Sequence, residues 1–164
     1  MFRKFLSALT DTPGFMRRVM NLYAPLRGAG IRVHSISSNF SEIEVRMPLT
    51  RRNSNIMGTQ FGGSLYAMAD PFFMLMLMKR LGHRYHVWDQ EATIRFVAPG
   101  KGLVKGVFQV SDSTLEEIRT LAAGGEKVLH TFHASITHQD GSVVAQVSKV
   151  LYIRLKREFR PNIT

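Results

Sequence analysis

The chain has 164 residues, enough for one domain with a sizeable core. Its composition, 45% apolar and 21% charged, is that of an ordinary globular protein rather than a disordered or collagen-like one. The absence of cysteine excludes disulfides, thiolate metal sites and a cysteine nucleophile, while a net charge of +10 points to an anionic partner.

That charge is uneven. Residues 1–52 carry nine basic and three acidic side chains, residues 53–148 carry eight of each, and residues 149–164 carry five basic ones against Glu158. A neutral middle with basic ends is not the pattern of a domain built on nucleic acid, and no nucleic-acid partner is expected. The basic ends, Arg51, Arg52, Arg154, Lys156 and Arg157 among them, are suited to attracting phosphate groups, and surface solvation explains them equally well.

In chain order, Phe2, Phe5, Leu6 and Leu9 follow the i, i+3, i+4, i+7 spacing of an amphipathic helix. Thr12 followed by Pro13 predicts the capped start of a second helix, reaching to about Leu26. Residues 1–28 thus form a helical extension, compatible with contact to a membrane surface through residues 1–26 and equally with packing on the domain itself. There is no signal-peptide core, so the protein is expected in the cytoplasm. The domain proper, 29–164, begins with period-two alternation. Val33, then Ile43, Val45 and Met47, predict a hairpin with one buried face.

Residues Ser64 to Leu81 read as one long buried helix, apolar on all sides. Asp70 interrupts it, and the apolar run after Pro71 is only seven residues, too short to cross a membrane. From Tyr85 onward the chain reads as strands, with Trp88, Ala92, Ile94 and Phe96 expected on one face of the first. A short helix opening near Ser113 follows, then a hairpin of Val128–Thr137 and Val143–Ile153 around Asp140-Gly141. One long helix with about six antiparallel strands predicts an α+β domain whose sheet curls around that helix.

No nucleophile elbow, Walker loop or dinucleotide fingerprint is present, and none of the six histidines has metal-ligand spacing, so neither metal nor cofactor is expected. What remains is the start of the buried helix, Asn55-Ile-Met-Gly58-Thr-Gln-Phe61-Gly62-Gly63-Ser-Leu-Tyr66-Ala-Met-Ala-Asp70. Glycines at a helix start leave backbone amides open to an approaching group, and such donors stabilise an oxyanion. They are also explained by close packing. Asp70, flanked by apolar residues, is a candidate general base or nucleophile, and Asp-Pro is equally the signature of a helix N-cap. Gly62/Gly63 and Asp70 lie about 11 Å apart along one helix. If both act on one carbonyl, they must come from different chains of a dimer.

At these residues the sequence resembles the hotdog-fold acyl-CoA thioesterases of the phenylacetyl-CoA type, with Asn55, Gly58, Gly62, Gly63, Ala69 and Asp70 at matching spacing. A second match is Ala92-Thr-Ile-Arg-Phe-Val-Ala-Pro-Gly-Lys-Gly. Phe-Gly-Gly-Ser-Leu-Tyr-Ala-Met-Ala-Asp-Pro and Val-Trp-Asp bring it nearer still to an uncharacterised, thioesterase-like branch of that superfamily. The resemblance implies a hotdog fold and a homodimer or higher homo-oligomer with sites at the subunit interface. It implies Asp70 as general base or nucleophile and the Gly62/Gly63 amides as oxyanion donors, on an acyl-CoA or related thioester. Asn55 is expected to orient substrate or water, with Gly58, Phe61 and Tyr66 beside the substrate. Met57 and Phe61 stand where histidine is frequent in the family, which makes the pocket drier and favours a second reading, a non-catalytic acyl- or CoA-binding module.

Overall fold

Thr12 caps helix α1 (Pro13–Leu22) as its spacing predicts, its hydroxyl accepting from the Phe15 amide at 3.2 Å. In this computed structural model, which describes residues 12–161, the helix does not continue to Leu26. Pro25 has no N–H for the Asn21 carbonyl, so the chain turns at Tyr23 and resumes as α2 (Ala24–Gly28). The Asn21 carbonyl accepts instead from Arg32 at 3.0 Å. The amphipathic segment Phe2–Leu9 lies outside the described residues.

Six strands form one antiparallel sheet: β1 (Arg32–Ile36), β2 (Glu42–Pro48), β3 (Tyr85–Phe96), β4 (Leu103–Gln109), β5 (Val128–His138) and β6 (Val143–Leu155), in the order β1-β2-β4-β5-β6-β3. Both hairpins read from the sequence are present, with Val33, Ile43, Val45 and Met47 buried. The sheet curls around the central helical stretch, the hotdog arrangement, and the N-terminal helices contribute Met20 and Leu26 to its core. The β1 edge is covered by α1, because the Asn21 side chain imitates a strand partner. Its Oδ1 accepts from the Val33 amide at 2.8 Å and its Nδ2 donates to the Val33 carbonyl at 3.1 Å. The β3 edge has no strand on its outer side among the described residues.

The central stretch is two helices, α3 (Gly62–Ala67) and α4 (Phe72–Leu81), with Met68–Pro71 in turns between them. Pro71 again supplies the reason, since it cannot donate to the carbonyl four residues earlier. Helix α4 is held by aromatic packing. Phe72 and Phe73 lie 5.2 and 5.4 Å from the Phe108 ring of β4, and Phe73 stacks 5.0 Å from Phe132 of β5.

Strand β3 differs from its expected phase. A bulge between Asp89 and Glu91 inserts one residue and switches parity. Ala92 and Ile94 face the helix, but so does Val87, while Trp88 turns outward and stacks on Tyr152 at 3.9 Å. Asp89 is thereby brought to the inner side, opposite Leu151. Helix α5 (Asp112–Ala122) starts two residues earlier than expected: Ser111, not Ser113, caps it by accepting from the Thr114 amide at 3.0 Å.

Candidate active site

The loop before α3 is organised by Asn55. Its Oδ1 accepts from the amides of Met57 at 2.9 Å and Thr59 at 3.1 Å, and its Nδ2 donates to the Thr59 hydroxyl at 3.0 Å. Both ends of the amide are therefore engaged within the loop. Gly58 occupies the left-handed region there, φ 72°, closing the turn back onto Asn55. Ile56 and Met57 project into solvent at its tip.

The loop delivers the chain to α3 through Phe61, whose amide donates to the Asn53 carbonyl at 2.7 Å and whose carbonyl accepts from Ser64 and Leu65. The amides of Gly62 and Gly63 have no acceptor among the described residues, as the first turn of a helix requires. Both glycines are also closely approached. A Cβ at Gly62 would stand 2.8 Å from the Phe96 ring and one at Gly63 2.5 Å from the Phe61 ring. Gly62 lines a cleft of about 450 Å³ together with Asn55, Thr59, Leu65, Phe96 and Pro99.

Asp70 opens elsewhere. It lines a separate cavity of about 300 Å³ with Tyr66, Ala67, Pro71 and Met74. Its side chain does not cap α4, and it is not a lone buried carboxylate: it is 50% exposed and paired with Lys149, which is 0% exposed. Lys149 Nζ lies 3.2 Å from Asp70 Oδ1 and 2.9 Å from Asp89 Oδ2, and donates to the Asp70 main-chain carbonyl. That carbonyl is exposed to such a donor by the break in the helix. The Tyr66 hydroxyl donates to the same Asp70 Oδ1 at 3.0 Å. Asp70 Oδ2 has no hydrogen-bond partner among the described residues, so one carboxylate oxygen is anchored and the other is left open on a side chain that lines the cavity. Burial, with the neighbouring carboxylates of Asp70 and Asp89, pushes the Tyr66 hydroxyl up to about 12, so it stays a donor throughout the neutral range.

The structure thus places Asn55 and Gly62 at one cavity, Tyr66 and Asp70 at another, keeps Gly58 in the turn that closes onto Asn55, and stands Phe61 half-exposed over Gly63. Sequence reasoning missed Lys149 and Asp89. The signal for Lys149 was available, because it falls on the inward parity of β6 between Val147 and Leu151. Asp89 had none, since its inward aim depends on the bulge. Among the described residues no group of His, Asp and Glu side chains is arranged to hold a metal ion. No described helix is long and apolar enough to cross a membrane.

Residues 13–153 match the family described as a domain of unknown function, DUF4442. The chain belongs to that family. No curated protein matches it. Among solved structures, it is similar to a Pseudomonas aeruginosa protein of unknown function described as a probable thioesterase, with TM-score 0.74, 23% identity, and coverage of 85% of this chain and 93% of that one. A protein of unknown function from Chlorobaculum tepidum aligns with TM-score 0.71 and 15% identity over 90% of this chain and 99% of that one. A Haemophilus influenzae thioesterase aligns with TM-score 0.66 and 13% identity over 93% and 95%. These likenesses establish the hotdog fold.

Proposed function

We propose that this protein is a thioesterase acting on acyl-CoA or a related acyl thioester, with its catalytic centre assembled from two copies of the chain. The observation that carries this is the pairing of an anchored carboxylate with open helix-start amides that face different cavities of one chain. A second copy brings them together. The uncovered β3 edge supports such a dimer, because a long strand without an outer partner pairs readily with its own counterpart about a two-fold axis.

In this reading the thioester carbonyl sits at the Gly62 and Gly63 amides of one copy and faces Asp70 of the other. Asp70 Oδ2 takes a proton from a water molecule as its oxygen attacks the carbonyl carbon, and the developing oxyanion is held by the two amides. The C–S bond then breaks, and the proton passes from Asp70 to the departing thiolate. Direct attack by Asp70, giving a mixed anhydride that water then cleaves, uses the same geometry. Tyr66 and Lys149 fix the other oxygen, so the reactive one keeps its aim. Asn55 serves by holding the loop that presents the amides, Gly58 by closing its turn, and Phe61 by offering apolar surface beside Gly63. Arg51 and Arg52, exposed on the turn whose Asn53 carbonyl binds Phe61, are placed to attract the phosphates of CoA.

Met57 and Phe61 offer no proton to a leaving group, which favours the second reading, a non-catalytic acyl- or CoA-binding module. A hydrolysis panel over acyl-CoA chain lengths, followed by thiol release, separates the two. Turnover lost in Asp70→Asn supports the thioesterase; tight binding without turnover on any member supports the module.

A further inference from the structure

The cavity beside Asp70 has a wall that the central helix does not supply. Tyr23, Pro25 and Leu26, from the junction of α1 and α2, close it against Ala67, Pro71 and Met74. Its volume of about 300 Å³ is at the small end of the range for ligand pockets. Apart from the Tyr23 hydroxyl, its polar side-chain atoms are those of Tyr66 and Asp70, where the proposed chemistry occurs. The junction is firmly placed. The Tyr23 amide donates to Val19 and Met20, the Leu26 carbonyl accepts from Ile31 at 2.9 Å, and Leu26 is buried in the core. The Asn21 and Arg17 side chains bind α1 to the backbone of β1.

We propose that this junction forms the acyl pocket wall, and that Tyr23 sets which acyl groups the site takes. The pocket would accept an aliphatic chain. Proline rings and a flexible methionine fit varied hydrocarbon shapes, and among the described residues no cation lines the cavity to pair with a charged or phosphorylated group. The CoA end of a thioester is therefore excluded from it, and the carbonyl is left at Asp70. The inference rests on the thioesterase reading for the chemistry at the pocket mouth, but chain binding does not require turnover.

The test uses the full chain and non-hydrolysable ethyl, hexyl, decyl and hexadecyl thioethers of CoA, titrated calorimetrically. In wild type, affinity rises by about fourfold per covered methylene until the chain outgrows the pocket. Tyr23→Ala moves that limit to longer chains, and Ala67→Met, filling the pocket from the central helix, moves it to shorter ones. Tyr23 is 51% exposed, so its replacement leaves the fold intact, as circular dichroism will verify. A limit that stays put in the folded Tyr23→Ala variant overturns the inference, as does wild-type affinity independent of chain length. Graded binding of the thioethers with no thiol release from the matching acyl-CoA thioesters removes the thioesterase reading and keeps the pocket; thiol release from those thioesters with an unmoved limit does the reverse.

Discussion

Lys149, fully buried on β6, holds Asp70, half-exposed at the break in the central helix, by its carboxylate and its main-chain carbonyl together. A buried ammonium costs several kcal/mol in lost hydration, and two carboxylates offset that cost here. Lys149 is thus both a structural charge and the residue that fixes where Asp70 points.

Lys149→Met leaves Asp70 and Asp89 as neighbouring carboxylates without a cation. It destabilises the fold by about 3 kcal/mol, toward the lower part of the range for broken buried pairs because the Asp70 side chain is 50% exposed. Chemical denaturation measures this. An unchanged midpoint would show that the ion cluster does not form in solution.

Tyr66 ionises near pH 12 because burial, and then the Asp70 carboxylate, oppose a phenolate there. Its absorbance titration, identified by loss in Tyr66→Phe, shows that value. Asp70→Asn brings it part of the way back, with burial keeping the remainder. Since the folded value lies above that of the unfolded chain, about 10, the associated stability is full below pH 10 and is lost as pH rises through 12.

Gly62→Ala and Gly63→Ala separate packing from chemistry. The atoms that an added Cβ meets belong to the rings of Phe96 and Phe61, both exposed enough to swing aside. Stability stays within about 1 kcal/mol of wild type, while kcat/KM falls because a methyl group crowds the amides. A large loss of stability with unchanged activity would assign these glycines to packing.

The two hairpins were legible because alternation and turn chemistry are local. Ile43, Val45 and Met47 declare their face within six residues, and Asp140-Gly141 declares its turn. The phase of β3 was not, since the bulge at Gln90 arises from pairing with β6. Pro71 announced a break, but the N-cap role it suggested for Asp70 lost to a partner 79 positions away. The glycine and aspartate positions of the candidate site were visible by spacing; the cluster that anchors the aspartate was assembled by the sheet.

The central claim is a site shared between two chains, one giving Asp70 and the other the Gly62 and Gly63 amides. The most direct measurement mixes Asp70→Asn with Gly63→Val, each inactive alone, under conditions that exchange subunits. The account predicts that acyl-CoA hydrolysis reappears in the mixture, because one site of each mixed dimer has an intact Asp70 facing intact amides. Subunit exchange verified by mass, with no recovery of hydrolysis, would contradict it.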